Sequence, residues 1–131
     1  MREILFRGKR LDNGDWVYGY YVHIGPVSCQ RIYIIPEYAS ALYVNEVDPS
    51  TVGQYTSLKD KNGKRIFDGD IAKVLQGKDK DIAYVGFENG AFMLYPKTGN
   101  IYERTLWSYW YNDWDVEVIG NIHDNPELLE K

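Results

Sequence analysis

GQYTSLKDKNGKRIFDGD, residues 53–70, is the stretch on which the reading of this chain turns. Its mixture of glycines, cations and aspartates fits either a loop that grips a phosphate or metal, or a set of turns joining strands. Asp60-Lys61-Asn62-Gly63 begins like a calcium loop, but the fifth position would then be Lys64 and the twelfth Ile71, where a bidentate glutamate is needed. Gly63-Lys64-Arg65 has the ending of a phosphate loop, without a glycine five residues earlier and without Ser or Thr after the lysine. Turn chemistry remains. Lys61-Asn62-Gly63-Lys64 reads as a hairpin turn, because Asn and Gly accept positive φ at low cost. Phe67 then anchors to a core, and Asp68-Gly69-Asp70 reverses the chain into a long strand.

Outward from this stretch the pattern is one of strands. Upstream, EILFRGKRL and WVYGYYV flank Asp12-Asn13-Gly14, a hairpin signal over residues 3–23, with Gly8 and Gly19 marking bulges or close backbone approaches. QRIYII at 30–35 and ALYVNEV at 41–47 are further strands, the first stopped by Pro36. Downstream, 71–75, 82–87 and 91–96 form a meander linked by residues 77–81 and by Glu88-Asn89-Gly90. Thr98-Gly99-Asn100 reverses the chain into IYERTL, and Val116, Val118 and Ile122 share one face of a last strand. Asn125-Pro126 suits the start of a short terminal helix, with asparagine as N-cap and proline at the first position. TLWSYWYNDW at 105–114 reads two ways. Trp107, Trp110, Tyr111 and Trp114 fall on one helical face, whereas Trp107, Tyr109 and Tyr111 alternate as in a strand. A helical turn leading into the last strand is the preferred reading.

The composition agrees with a folded, strand-rich protein. The chain has 131 residues, 44% hydrophobic and 26% charged, which is one domain or two very small modules sharing a core. Twelve tyrosines in an aromatic content of 15% favour sheets, whose pleated surfaces flat side chains cover well. No apolar run approaches the roughly 18 residues of a membrane span, and MREILFRGKR is too mixed for a signal peptide. Cys29 is the single cysteine, so an internal disulfide is excluded and a cytoplasmic setting is expected.

The net charge of −4 argues against a grip on nucleic acid by the protein as a whole. The distribution is uneven. Arg2, Arg7, Lys9 and Arg10 oppose Glu3 near the start, while Asp113, Asp115, Glu117, Asp124, Glu127 and Glu130 oppose Lys131 at the end. Such asymmetry favours head-to-tail self-association or a local basic patch for an acidic partner, against the plainer alternative of solvated edges. His23, Cys29 and His123 lack metal-ligand spacing, and neither a nucleophile elbow nor a dinucleotide fingerprint is present. The sequence therefore nominates no catalytic, cofactor or metal residue. Tyr18, Tyr20, Tyr21, Arg31 and Tyr33 could stack single-stranded bases on a sheet, or fill a core or an interface.

Three separated segments carry a family resemblance: FRGKRLDNGDWVYGY, VGQYTSLKDKNGKRIFDGDI and EVIGNIHDNPELLE. Together they resemble the YopX family of small phage and prophage proteins, in the same order and over nearly the whole chain. The resemblance implies a bacterial host cell and supplies no activity, cofactor or catalytic residue. It also implies an SH3-like β-barrel over about residues 60–123. The expected architecture is thus mainly β, with an N-terminal hairpin-based part (1–59) packed on an SH3-like barrel (60–131) ending in a helical turn. The expected function is a non-enzymatic accessory role exercised through protein contacts, including self-association. A nucleic-acid-binding module using the N-terminal cations and exposed tyrosines is the alternative. The expected interaction residues are Arg2, Arg7, Lys9, Arg10, Trp107, Trp110 and Trp114.

Overall fold

The computed structural model describes residues 2–26, 31–37 and 44–130. Cys29, Gln30 and the first residues of the strand expected at 41–47 lie outside them. The chain divides into two compact units, Met1–Tyr55 and Thr56–Lys131. Nearly all regular structure is antiparallel strand, as the alternating apolar pattern predicts.

In the first unit, β1 (Phe6–Lys9), β2 (Trp16–Ile24), β3 (Arg31–Pro36) and β4 (Asn45–Val47) lie side by side in the order β4-β3-β2-β1. A 3-10 turn comes next, at Pro49–Thr51, capped by the Asp48 carboxylate accepting from the Ser50 N–H. The first residues of β5 (Gly53–Lys59) then pair with β1, Phe6 opposite Gln54 and Arg7 opposite Gly53. The expected β1–β2 hairpin is present, with Lys9 opposite Trp16. Its connection spans Arg10 to Asp15, and Gly14 carries the positive φ of 75°. Pro36 ends β3 from inside the strand, opposite Gly19. That pairing explains the glycine. A Cβ at position 19 would sit 1.9 Å from the Ile35 carbonyl oxygen, so the backbones approach too closely for any side chain. One face of this sheet buries Val17, Ile32, Ile34 and Val47, with Phe6 and Val52 packed against them. Burial of such side chains is worth about 1.5–3 kcal/mol each.

In the second unit, the end of β5 and β6 (Arg65–Phe67) form a short hairpin, tied by Thr56 Oγ1 donating to the Ile66 carbonyl at 2.8 Å. Beyond it is a five-stranded sheet: β7 (Asp70–Gln76), β8 (Asp79–Glu88), β9 (Ala91–Pro96), β10 (Arg104–Thr105) and β11 (Asp115–Asn121). Its order is β10-β9-β8-β7-β11, so the last strand returns to the first. A six-residue helix, α1 (Leu106–Tyr111), stands between β10 and β11. The core holds Ile66, Val74, Val85, Leu94, Leu106, Tyr109 and Val116, among others, with Leu58, Phe92, Trp114 and Val118 packed against it.

The turn expected at 61–64 is present, and its organiser is Asp60, the residue that opens the calcium-like run. Asp60 is only 7% exposed, and its Oδ1 accepts from the N–H groups of Asn62 and Lys64, both at 2.9 Å. At the next reversal Gly69 has φ 92°, and the buried Asp70 accepts from the Phe67 N–H at 2.7 Å.

Several expectations are corrected. The link between β7 and β8 is a two-residue turn with Gln76 opposite Asp79, rather than five residues of loop. Asp81 points inward from β8, where its carboxylate holds the turn at Thr98–Asn100. Of IYERTL, only Arg104 and Thr105 form strand, and Ile101 is buried in the core. Ile122 does not share the buried face of Val116, because the register shifts between Val118 and Gly120. The terminal helix is a 3-10 turn, Pro126–Leu129, and Asn125 does not cap it. Its Oδ1 turns back to accept from the Asn121 N–H at 3.2 Å, in the space left by Gly120.

Candidate functional site

The 105–114 segment resolves as a short helix with a defined stop. Thr105 is extended, and its hydroxyl accepts from the Ser108 N–H, which caps the first turn. Ser108 Oγ returns a hydrogen bond to the Thr105 carbonyl at 2.7 Å. At the other end, Asp113 adopts φ 56° and the Trp114 N–H reaches back to the Tyr109 carbonyl at 2.9 Å. A left-handed residue after the helix closes it in this way and redirects the chain toward β11.

This geometry sorts the aromatics. Leu106 and Tyr109 face the core. Trp107, Trp110 and Tyr111 face solvent at 55%, 62% and 67% exposure, and Trp107 stacks on Tyr111 with centroids 5.0 Å apart. Trp114, expected on the same face, is turned away from them by the reversal at Asp113. It is half-buried, meets Tyr109 edge-on at 5.2 Å and lies under the Arg104 guanidinium at 5.5 Å. The expected interaction trio is therefore a pair of exposed tryptophans and one packing residue. Tyr111 completes the exposed set.

Two concavities flank the helix. One, of about 270 Å³, lies between α1 and residues 58–61, lined by Leu58, Ile66, Trp110, Asp113, Trp114 and Asp115. The other, of about 360 Å³, is mostly apolar and is lined by Leu58, Phe92, Leu106 and Trp107. Ser57, on its edge, holds φ 73°, a conformation that costs an ordinary residue about 1 kcal/mol.

The N-terminal cations do not form one free patch. Arg7 is buried, with its guanidinium 4.7 Å from the centre of the Trp16 ring, and Lys9 Nζ approaches the same ring at 5.5 Å. Arg10 pairs with Asp12 at 2.6 Å, which holds that carboxyl below its usual range through the hydrogen bond from the guanidinium. Arg2 is exposed and borders a shallow apolar hollow with Ile4, Tyr20 and Tyr21. Of the tyrosines suited to stacking, Tyr18 and Tyr20 are exposed on one face of β2, at 41% and 51%. Tyr21 points to the other face and contacts Phe6 at 5.0 Å.

Among the described residues no group of three or more His, Cys, Asp or Glu could hold a metal ion. No helix among them is long and apolar enough to cross a membrane.

The two units, their antiparallel sheets and the aromatic turn of α1 define a mainly β protein whose conspicuous surface chemistry is aromatic. The chain belongs to the YopX protein family, whose family model matches residues 5–130. It is similar in fold to protein EF1440 from Enterococcus faecalis, a crystal structure, at 23% identity and a TM-score of 0.56, over 99% of this chain and 100% of that one. No curated protein matches it.

Proposed function

We propose that this protein is a non-enzymatic accessory protein of a phage or prophage, acting through protein contacts in the host cytoplasm that include contacts between its own copies. The observation that carries this reading is the exposed triad Trp107, Trp110 and Tyr111 on two turns of helix. Trp and Tyr dominate the energetics of interfaces, because they bury large rigid surfaces at little entropic cost. Exposing three of them together costs a monomer solubility and offers a partner an anchor. The phage setting comes from the family resemblance alone.

The strand order of the second unit supports an SH3-like barrel there. The fifth strand returns beside the first, and a helical turn stands between the fourth and fifth. Such a fold presents loops and a helical turn around a small core, and it does not by itself select a function.

The reading is tested by quenching tryptophan fluorescence with acrylamide over a dilution series. Quenching that falls as protein concentration rises supports it. Equal quenching at all concentrations overturns self-association through this face.

The nucleic-acid reading keeps one favourable observation: Tyr18 and Tyr20 are exposed on the sheet face that also carries Arg7 and Lys9. It requires binding of single-stranded oligonucleotide that weakens steeply with salt. Arg7 is buried, Lys9 lies over the Trp16 ring and Arg10 pairs with Asp12, so the cations this reading needs are largely engaged within the protein.

A further inference from the structure

The groove of about 270 Å³ between α1 and residues 58–61 carries opposite charges on its two sides. Lys59 and Lys61 line one side, and Asp113 and Asp115 line the other. The Lys61 N–H donates to the Val116 carbonyl at 2.9 Å, which fastens the cationic segment directly beside the start of β11. All four residues are exposed, and none forms an ion pair with a described residue. Asp60, between the two lysines, keeps its charge, but it is buried and turned to the Val118 N–H. The ammonium groups are therefore the charges this side presents to solvent. Trp110 lines the same groove and is 62% exposed.

A cationic and an anionic patch side by side are self-complementary about a two-fold axis. Half a turn of a second copy sets each patch against its opposite, and every contact is made twice. Size points the same way. At ~150–250 Å² for a whole aromatic side chain, the exposed parts of Trp107, Trp110 and Tyr111 amount to roughly 300–400 Å². A stable interface covers about 800 Å² on each partner, so contact through these rings has to extend over the groove beside them. An apolar contact also leaves register open, and complementary charges close it.

Resting on the reading that copies of this chain associate, we propose that this face is a two-fold interface whose occupant is a second copy. Trp110 of each copy covers the groove of the other, while Lys59 and Lys61 oppose the partner's Asp113 and the partner's Asp115. The aromatic rings supply the affinity, and the two charge sets fix which way the copies meet.

The test is sedimentation equilibrium of the full chain, of Lys59→Glu/Lys61→Glu and of Asp113→Asn/Asp115→Lys, each alone and the two variants mixed in equal amounts. Asparagine is chosen at 113 because it accepts the φ of 56°. All four positions are exposed, so both variants should keep the wild-type circular dichroism. Each variant alone sets like charges against each other and should associate about tenfold or more weakly than wild type. The mixture restores opposite charges at both contacts and should associate as wild type does. Folded variants that each associate as tightly as wild type, or a mixture as weak as its components, overturn this interface while self-association stands. A wild type that remains a single chain overturns both, and assigns the aromatic face to a different protein.

Discussion

Asp60 Oδ2 accepts a hydrogen bond from the Val118 N–H at 2.9 Å, across 58 positions of sequence. The other oxygen of the same carboxylate holds the 60–64 turn, and the Lys61 N–H donates to the Val116 carbonyl at 2.9 Å. One buried side chain therefore closes a local turn and fastens it to β11. The charged-looking stretch at residues 53–70 is structural at this point, with its carboxylate turned inward.

Replacing Asp60 with alanine strands three backbone donors. Loss of about 3 kcal/mol is expected, since hydrogen bonds to a charged acceptor contribute about 1.5–3 kcal/mol net. Asp60→Asn should cost less, because it keeps acceptor capacity on one side. Urea unfolding checks this through the midpoint, with the slope unchanged. A loss below about 0.5 kcal/mol for the alanine variant is the size of an ordinary surface change and would contradict the account.

The glycines and lysines of the same stretch should behave oppositely. Gly63 has φ 81°, with open space where a Cβ would stand, so a side chain there is penalised by backbone conformation alone. Gly63→Val should cost about 1–2 kcal/mol, and Gly69→Val, at φ 92°, should also destabilise. Lys61→Ala and Lys64→Ala, both exposed, should stay within about 0.5 kcal/mol of wild type in the same urea titration. Loss of a binding activity in either folded lysine variant would make this stretch more than a turn.

Tyr109 is fully buried, and its hydroxyl has no hydrogen-bond partner among the described residues. Burial raises its phenol above the ordinary value, with Arg104 opposing the shift and Asp81 adding to it. The folded value lies above the unfolded one, so its contribution is fully present below the unfolded value. It is lost as pH rises through the folded value, in a window that opens near pH 10. Wild type should therefore lose more stability above that pH than Tyr109→Phe does. At neutral pH the phenylalanine variant should be as stable as wild type or more so, because it removes a buried polar atom without a partner. Denaturant midpoints at neutral and alkaline pH decide it, and a marked loss at neutral pH would show that the hydroxyl is bonded.

Much of this architecture was legible because the relevant signals are local. Asn89 and Gly90 both take positive φ, 52° and 82°, as a tight hairpin turn demands. Trp107, Trp110 and Tyr111 obeyed helical spacing and emerged on one face. Trp114 escaped that pattern because Asp113 reverses the backbone one residue earlier, and a seven-residue periodicity does not register a single left-handed residue. The roles of Asp60 and Asp81 were not legible, since their partners at Val118 and Thr98 are set by tertiary contact. Of the N-terminal cations, sequence showed the cluster but not that Trp16 would take up two of them.

The central claim is that the exposed tryptophans of α1 hold copies of this chain together. Light scattering over a concentration series, on wild type and on Trp107→Ala/Trp110→Ala, tests it most directly. The account predicts a wild-type mass that climbs from one chain towards two or more, and a double variant that remains at one chain with its melting temperature preserved. A wild type that stays at the mass of a single chain throughout, or a double variant that associates as wild type does, would contradict it.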